Sequence, residues 1–402
     1  MFSTILINVD ELWLKGDNRA YYYSIMKRNI SQVVRALHPH KFSCVNQYQR
    51  LFLKSSQAFS SEVMDALSKV SGIHSLIPAI AVPLKLDKIM EGVDFFLSGQ
   101  KLDNLTFKIR ASRSNKQFPQ TSMEIAREIG HQVLVKYPAL SVDVKRPNMY
   151  IDVRVLDDKI YVSQKNILGP GGLPVGTSGH IITLISGGFD SPVASYLMSK
   201  RGCRQTFAFF YAYPFVGEEV KNKILKLMEV ISQYQIGCDL YIIPFGDIQN
   251  TIAKNCWEEY RTILFRKYMI EVAALLAKRI RASAILTGDS LGQVSSQTIT
   301  NISVLDQLSP LPIFRPLLGH NKAEIIEISR QVGFHDISTI PHDDACALFA
   351  PKHPTTKADF HYVKSFYENN PWPEILDAAL NQSEIFHFTP LGIIASAKPK
   401  IK

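Results

Sequence analysis

"LISGGFDSPVASYLMSKRG", residues 184–202, decides how the chain is read. An apolar run from His180 to Ser186 reads as a buried strand. Two glycines break it, and Asp190, Ser191 and Pro192 then open an apolar helix. Strand, glycine turn and helix N-terminus make a nest of backbone N–H groups suited to an anion. Phosphate loops of the common kind end in Gly-Lys-Ser/Thr, but here an aspartate stands where a lysine would be. Such a loop has no obvious means of steadying a γ-phosphoryl group in transfer. A nest that grips pyrophosphate instead implies attack at the α-phosphate of ATP, which leaves an adenylated substrate. Ser186, Gly187, Gly188 and Ser191 are then the expected phosphate contacts, and Asp190 holds Mg²⁺ or positions the reacting groups. A plain Gly-Gly turn with an Asp/Ser cap is the competing reading.

Downstream of this loop, apolar β-type runs (181–186, 205–211, 239–245, 284–288) alternate with helical patterns (191–201, 218–234, 255–280). Buried strands separated by helices predict an α/β domain with a doubly wound parallel sheet, its ligands at the carboxyl ends of the strands. Upstream, "GPGGLPVGTSG" (169–179) crowds glycine and proline into a linker, the clearest boundary in the chain. Before the linker, residues 1–57 read as a small α+β unit: strand (4–9), helix (18–37), strand (50–54). Residues 61–165 add helices at 62–70, 88–96 and 122–137. They also add strands in "GIHSLIPAIAV", "LTFKIRASR", "SVDVKR" and "YIDVRVLDDKIYVSQ".

Charge divides at the same boundary. Residues 1–170 hold 23 Lys+Arg against 15 Asp+Glu, whereas residues 171–402 hold 22 against 21, so the front carries nearly all of the net +9. That asymmetry fits a polyanion-binding module ahead of a near-neutral catalytic one. No apolar run is long enough to span a membrane, and the first residues lack a signal-peptide pattern. Five scattered cysteines (44, 203, 238, 256, 346) without a C-x-x-C argue against a disulfide framework or a protein-held metal. A reducing cytoplasm is the expected location.

Three further segments carry chemistry. "LTGDSLGQVSSQT" (286–298) follows a buried strand and offers Gly288 for close backbone approach to a nucleotide and Gln297 as a polar contact. A structural turn is the alternative. In "RPLLGHNKAEIIEISRQVG" (315–333), Asn321 and Glu324 form a capping box, so Lys322 opens a helix. A lysine there works against the helix dipole, which suits another task, although a solvated lysine is an equal reading. "PHDDACALFAPKHPTTKAD" (341–359) sets Cys346 in a polar loop with Lys352 and His353, neighbours that favour a thiolate, against the ordinary inert cysteine.

Ser-Gly-Gly-x-Asp-Ser after a strand resembles the PP-loop of ATP-pyrophosphatases. Taken together, the segments resemble the tRNA 4-thiouridine synthetase (ThiI) family over about residues 1–365. "ELWLKGDNR" (11–19) is similar to the family's opening. "TFKIRASRSNKQFPQTSMEIAREIG" and "VDVKRPNMYIDVRV" look like its RNA-binding THUMP domain, and "LFAPKHP" like its cysteine-bearing loop. The resemblance implies a ferredoxin-like domain (1–57), a THUMP domain (58–166), the linker (167–180) and a PP-loop domain of the adenine nucleotide alpha hydrolase type (181–402). No rhodanese domain is expected. The chain departs from the family in "FFYAYPF" (209–215), where relatives often carry His-Phe-His-Ser-Pro-Pro, and in having Ala345-Cys346 where many have two adjacent cysteines.

By resemblance, ATP adenylates the uridine at position 8 of tRNA, and a persulfide sulfur supplied by a cysteine desulfurase then gives 4-thiouridine, releasing AMP. The nucleotide contacts implied are Leu184, Ile185, Phe209, Phe210, Arg266, Gly288 and Gln297. Asp190 and Lys322 form the adenylation centre, and Cys346 handles sulfur. Lys108, Arg110, Arg113 and Lys116 are the expected tRNA contacts. A homodimer, Mg²⁺ arriving with ATP, and for some members a role in thiamine synthesis complete the implication. Another PP-loop tRNA modifier (a 2-thiouridylase or lysidine-type enzyme) and a tRNA-binding protein with a decayed catalytic half remain as alternatives.

Overall fold

A computed structural model of the chain describes residues 2–213, 215–341 and 351–397. Cys346 lies outside the described residues. The chain divides between Gly171 and Gly172 into two compact units. No described helix is long and apolar enough to cross a membrane.

The first unit is built on one continuous sheet in the order β2-β3-β1-β4-β8-β7-β5-β6, with β9 also paired to β4. Its strands are β1 (Phe2–Val9), β2 (Phe42–Gln47), β3 (Arg50–Phe59), β4 (Ile73–Val82), β5 (Thr106–Arg113), β6 (Ser141–Val142), β7 (Met149–Val155), β8 (Ile160–Ser163) and β9 (Ile167–Leu168). Helices α1 (Arg19–Leu37), α2 (Ser61–Leu67), α3 (Ile89–Leu97) and α4 (Ser122–Lys136) accompany them. Strand β4 is the seam. It pairs antiparallel with β1 through Thr4↔Ala79 to Val9↔Ile73 and with β8 through Ala79↔Ser163 to Val82↔Ile160. Residue 57, where a boundary is expected, falls inside β3. The predicted strand "YIDVRVLDDKIYVSQ" is the hairpin β7–β8, turning at Asp157 and Asp158.

The second unit carries a seven-stranded sheet, β14-β13-β10-β11-β12-β15-β16. Strands β10 (His180–Leu184), β11 (Arg204–Tyr211), β12 (Cys238–Pro244), β13 (Ala284–Leu286) and β14 (Ile313–Phe314) are parallel. The hairpin β15 (Glu384–Thr389) and β16 (Gly392–Ala397) adds an antiparallel edge. The doubly wound parallel sheet is thus present, with a C-terminal extension that periodicity had not disclosed.

Alternation along β11 explains the two cores. Phe207, Phe209 and Tyr211 join one cluster, with Val193 of α5 (Asp190–Lys200), Leu227 of α6 (Glu218–Gln235) and Ile325 of α10 (Lys322–Val332). Ala208 and Phe210 join the other. That cluster includes residues of α7 (Gly246–Asn255), α8 (Arg261–Ile280), α9 (Ile299–Leu308), α12 (Phe360–Asn369) and α13 (Pro373–Asn381), while the short α11 (His335–Ser338) follows α10. The helix expected at 255–280 is α8, which opens only at Arg261 behind a 3-10 turn (Glu258–Tyr260), and α7 before it was not expected. Chain order runs β10, β11, β12 in one direction and returns to β13 on the other flank of β10. The switch point lies between β10 and β13, where doubly wound sheets open their ligand crevice.

Candidate active site

Two loops border that crevice, 185–189 after β10 and 287–298 after β13. Ile185 N–H donates to Ala208 O at 3.0 Å, which carries the loop's first residue along β11. Ser191, nearly buried, then closes the turn: its Oγ accepts from Ser186 N–H at 2.8 Å and lies 3.0 Å from Ser186 Oγ. Helix α5 opens at Asp190 without a side-chain N-cap bond, so its first-turn N–H groups face the loop. Gly188 has an ordinary backbone, and a Cβ there would meet only Ser186 Oγ, 3.9 Å away. The fold does not demand glycine at 188. What glycine leaves is bare main chain with room for a ligand.

Asp190 and Lys322 meet although 132 residues separate them: Lys322 Nζ donates to Asp190 Oδ1 at 2.8 Å. The capping box expected from Asn321 and Glu324 is formed and places Lys322 in the first turn of α10. Its ammonium also lies 5.4 Å from the Phe189 ring centroid. The other oxygen of Asp190, Oδ2, accepts from Gln293 Nε2 at 2.9 Å.

Gly288 follows β13 and lies against the first loop. A Cβ on it would come within 2.5 Å of Ser191 N and 2.7 Å of Asp190 C, so this glycine lets β13 lie against the start of α5. The next residue, Asp289, is a hub that sequence reasoning missed. Its carboxylate is buried and pairs with Arg266 through Oδ1 and with Arg315 Nε at 2.9 Å through Oδ2. It also accepts from Thr287 Oγ1 at 2.8 Å and from Gln297 Nε2 at 3.4 Å. Burial alone would raise its pKa, but Arg266, the Thr287 hydroxyl and Arg315 together hold it below the ordinary carboxylate value. Arg266 therefore spends its guanidinium on Asp289 and on Ser296, whose carbonyl and hydroxyl each lie 3.3 Å away. The signal was present in "TGDS", which like the first loop sets an Asp-Ser pair just after glycine at a strand end, but nothing in sequence names the two arginines.

Phe209 and Phe210 are both buried, on opposite faces of β11. Phe210 packs 5.0 Å from the Phe245 ring and Phe209 6.1 Å from Tyr211. Their side chains belong to the two cores, so only their main chain can face a nucleotide. The side-chain oxygens of Gln293 and Gln297 are buried without a hydrogen-bond partner among the described residues, and these acceptors border the crevice. Lys223, buried on α6, donates to the carbonyls of Ser338 (2.9 Å) and Ile340 (2.7 Å), and Ser338 Oγ reaches Gly188 O at 3.3 Å. That clamp on the first loop also went unread.

The expected RNA face belongs to the first unit. Lys108 and Arg110 share the outer side of β5. Lys108 Nζ donates to Val144 O at 2.9 Å. Arg110 grips Asp152 at 2.7 and 2.8 Å and stacks 4.2 Å from the Tyr150 ring. Lys116 is exposed in the loop beyond. Arg113 is placed differently from the other three. It lies on the inner side with Phe107 and Ile109, and its guanidinium donates to Phe118 O (2.5 Å) and Gln120 O (3.1 Å). Its described bonds hold a loop together.

Of the described cysteines, Cys44 and Cys256 have thiol pKa values raised by burial to about 11, and burial raises those of Cys203 and Cys238 as well. None is set up as a thiolate.

Comparison with known proteins agrees with this division. The "Thiamine biosynthesis protein (ThiI)" family matches residues 176–370, a "THUMP domain" residues 85–164 and a "ThiI ferredoxin-like domain" residues 4–76. A probable tRNA sulfurtransferase of Moorella thermoacetica is 37% identical over 97% of this chain and 99% of its own. One of Geobacillus kaustophilus is 35% identical over 95% of both. The crystal structure of a 4-thiouridine synthetase–RNA complex with bound ATP covers 96% of this chain and all of that one, with a TM-score of 0.87 and 28% identity. The chain belongs to the ThiI family of tRNA sulfurtransferases.

Proposed function

We propose that this protein is an ATP-dependent tRNA sulfurtransferase that converts the uridine at position 8 of tRNA to 4-thiouridine. The observation that carries the reading is the Asp190–Lys322 pair at the mouth of a lysine-free glycine loop, placed at the switch point of a doubly wound sheet. The relatives' names and the ATP and RNA of the similar complex support it.

The first step is attack by the uracil oxygen at carbon-4 on the α-phosphorus of ATP. The bond to the bridging oxygen of pyrophosphate breaks, and pyrophosphate leaves with its electron pair. Main-chain N–H groups of Gly187 and Gly188 and the α5 N-terminus are suited to hold that leaving group. Lys322 supplies positive charge as negative charge gathers on the phosphates, and Asp190 keeps the ammonium in place between turnovers. Gln297 offers an unpaired amide oxygen to hydrogen-bond donors of the nucleotide or the base. In the second step the terminal sulfur of a persulfide attacks carbon-4, and AMP departs with the oxygen. Adenylation is what makes that oxygen a good leaving group. A second thiol then attacks the carrier sulfur, and the S–S bond breaks to release 4-thiouridine. The two thiols are left as a disulfide that an external dithiol reduces.

Mg²⁺ fits here as a companion of ATP. Among the described residues no group of three or more His, Cys, Asp or Glu side chains could hold a metal, whereas Mg²⁺ commonly takes one carboxylate plus phosphates and water. Asp190 is the carboxylate available at the loop, and the ion would offset phosphate charge. Cys346 receives or resolves the sulfur, a cysteine desulfurase supplies it, and the enzyme works in the cytoplasm as a homodimer docked on tRNA through its first unit. Participation in thiamine synthesis belongs to the same family reading. Nucleoside mass spectrometry of tRNA from cells with and without the gene tests the proposal: 4-thiouridine should vanish with the protein, and its persistence would overturn it.

A further inference from the structure

Gln293 stands apart from the other polar residues of the crevice, because its side chain reaches the same carboxylate that Lys322 holds. Asp190 presents acceptors only, so the amide must turn its nitrogen toward Oδ2, 2.9 Å away. Its oxygen is thereby fixed in a buried position with no partner among the described residues. A buried, unpaired acceptor works against stability. Methionine would fill the same space without that penalty, so packing does not explain the amide. The contact with Asp190 does.

The backbone is arranged to present it. Gly292 takes a left-handed conformation (φ 72°) and donates its N–H to Gln297 O at 2.9 Å, closing the loop around residue 293. The same loop is tied to the segment that leads into α10. Ser290 Oγ donates to His320 O at 2.9 Å, and Leu291 N–H donates to Leu318 O at 3.3 Å. Gln293 and Lys322 thus approach Asp190 from one connected scaffold, each taking a different oxygen.

We propose that Gln293 is a positioning residue for the adenylation step. Its amide N–H holds Asp190 Oδ2, so that the carboxylate keeps its orientation when the Lys322 ammonium turns to the phosphates. The inference rests on the adenylation reading above.

The test uses the full chain, ATP and unmodified tRNA, and follows pyrophosphate release, the KM for ATP and thermal stability. Gln293→Met keeps the length and loses the donor, and Gln293→His restores a neutral N–H at similar reach. For Gln293→Met, kcat should fall ~10–100-fold, as for loss of a hydrogen bond to a charged group, with KM nearly unchanged and Tm not lowered. Gln293→His should recover most of the rate. A wild-type kcat in Gln293→Met, equal losses in the Met and His variants, or a loss confined to KM or Tm would each overturn the positioning role alone. A wild-type protein that releases no pyrophosphate would overturn the adenylation reading and this inference with it.

Discussion

Arg315 Nε lies 2.9 Å from Asp289 Oδ2, and both side chains are almost fully buried, while Arg266 takes the other oxygen of the same carboxylate. Arg315 continues to Asp306 at 2.7 Å, so one ion chain runs from α8 through the second crevice loop to α9. Removing the shared carboxylate would leave two guanidinium groups opposed with nothing between them. Asp289→Ala should therefore cost about 3–5 kcal/mol of stability, read from chemical denaturation. A change of under about 0.5 kcal/mol, typical of a neutral surface site, would remove Asp289 as the hub.

The same site sets an acid limit. The folded-state pKa of Asp289 is depressed, so the stability it contributes is complete above the unfolded value of about 4 and is lost as pH falls through the lower folded value. Asp289→Asn has no carboxylate to protonate at this position. Its stability should start lower at neutral pH and decline less steeply than the wild type below about pH 4. Parallel acid limbs for the two proteins would show that Asp289 does not contribute to the transition.

Asp190→Ala and Lys322→Ala should each reduce pyrophosphate release by at least ~100-fold, the scale of losing a preorganised charged group. The proposed RNA-binding elements lie in the other compact unit, so tRNA affinity should stay within a few-fold. Unchanged thiolation in Asp190→Ala would remove the PP-loop assignment.

How much of this could be read beforehand follows from what sequence encodes locally. Strands β10, β11 and β12 were legible because buried parallel strands are continuous apolar runs. Strand β2 was not, because "FSCVNQ" lies mostly exposed at a sheet edge and carries no apolar pattern. Lys322 was legible through its capping box, a three-residue spacing. Its pairing with Asp190 spans 132 residues, and only family resemblance anticipated a shared centre. Asp289, Arg315, Gln293 and Lys223 escaped because their roles lie in partners that the chain order does not bring together. Gly288 and Arg113, picked out for ligands, each also have a structural role that sequence did not disclose, a close backbone approach and a loop clasp.

On the RNA side the structure separates residues that looked equivalent. Lys108→Glu and Lys116→Glu should weaken tRNA binding, and replacing the pair by Gln should reduce the salt dependence by about one counterion for each phosphate left without its lysine. The KM for ATP should not move. Arg113→Gln should act differently, lowering thermal stability of the first unit by releasing the 118–120 loop while leaving the salt slope intact. An unaltered Tm with a reduced slope would return Arg113 to the docking surface.

Cys346 is the last case, and the other cysteines sharpen it. Burial raises the thiol pKa of Cys44, Cys203, Cys238 and Cys256, so at neutral pH each is protonated and a poor partner for persulfide exchange. Replacing any of these four by serine should leave sulfur transfer near the wild-type rate. Cys346→Ser should still release pyrophosphate and adenylate tRNA, yet form no 4-thiouridine when a desulfurase and cysteine supply the sulfur. Free sulfide needs no carrier thiol to attack the adenylate, so adding it should restore part of the product. Adenylation without thiolation, rescued by sulfide, separates a sulfur-handling thiol from a packing residue, because a packing defect would depress both steps together. Full desulfurase-dependent thiolation by Cys346→Ser would take this residue out of the mechanism, and the sulfur would then have to reach the adenylate directly from the donor protein.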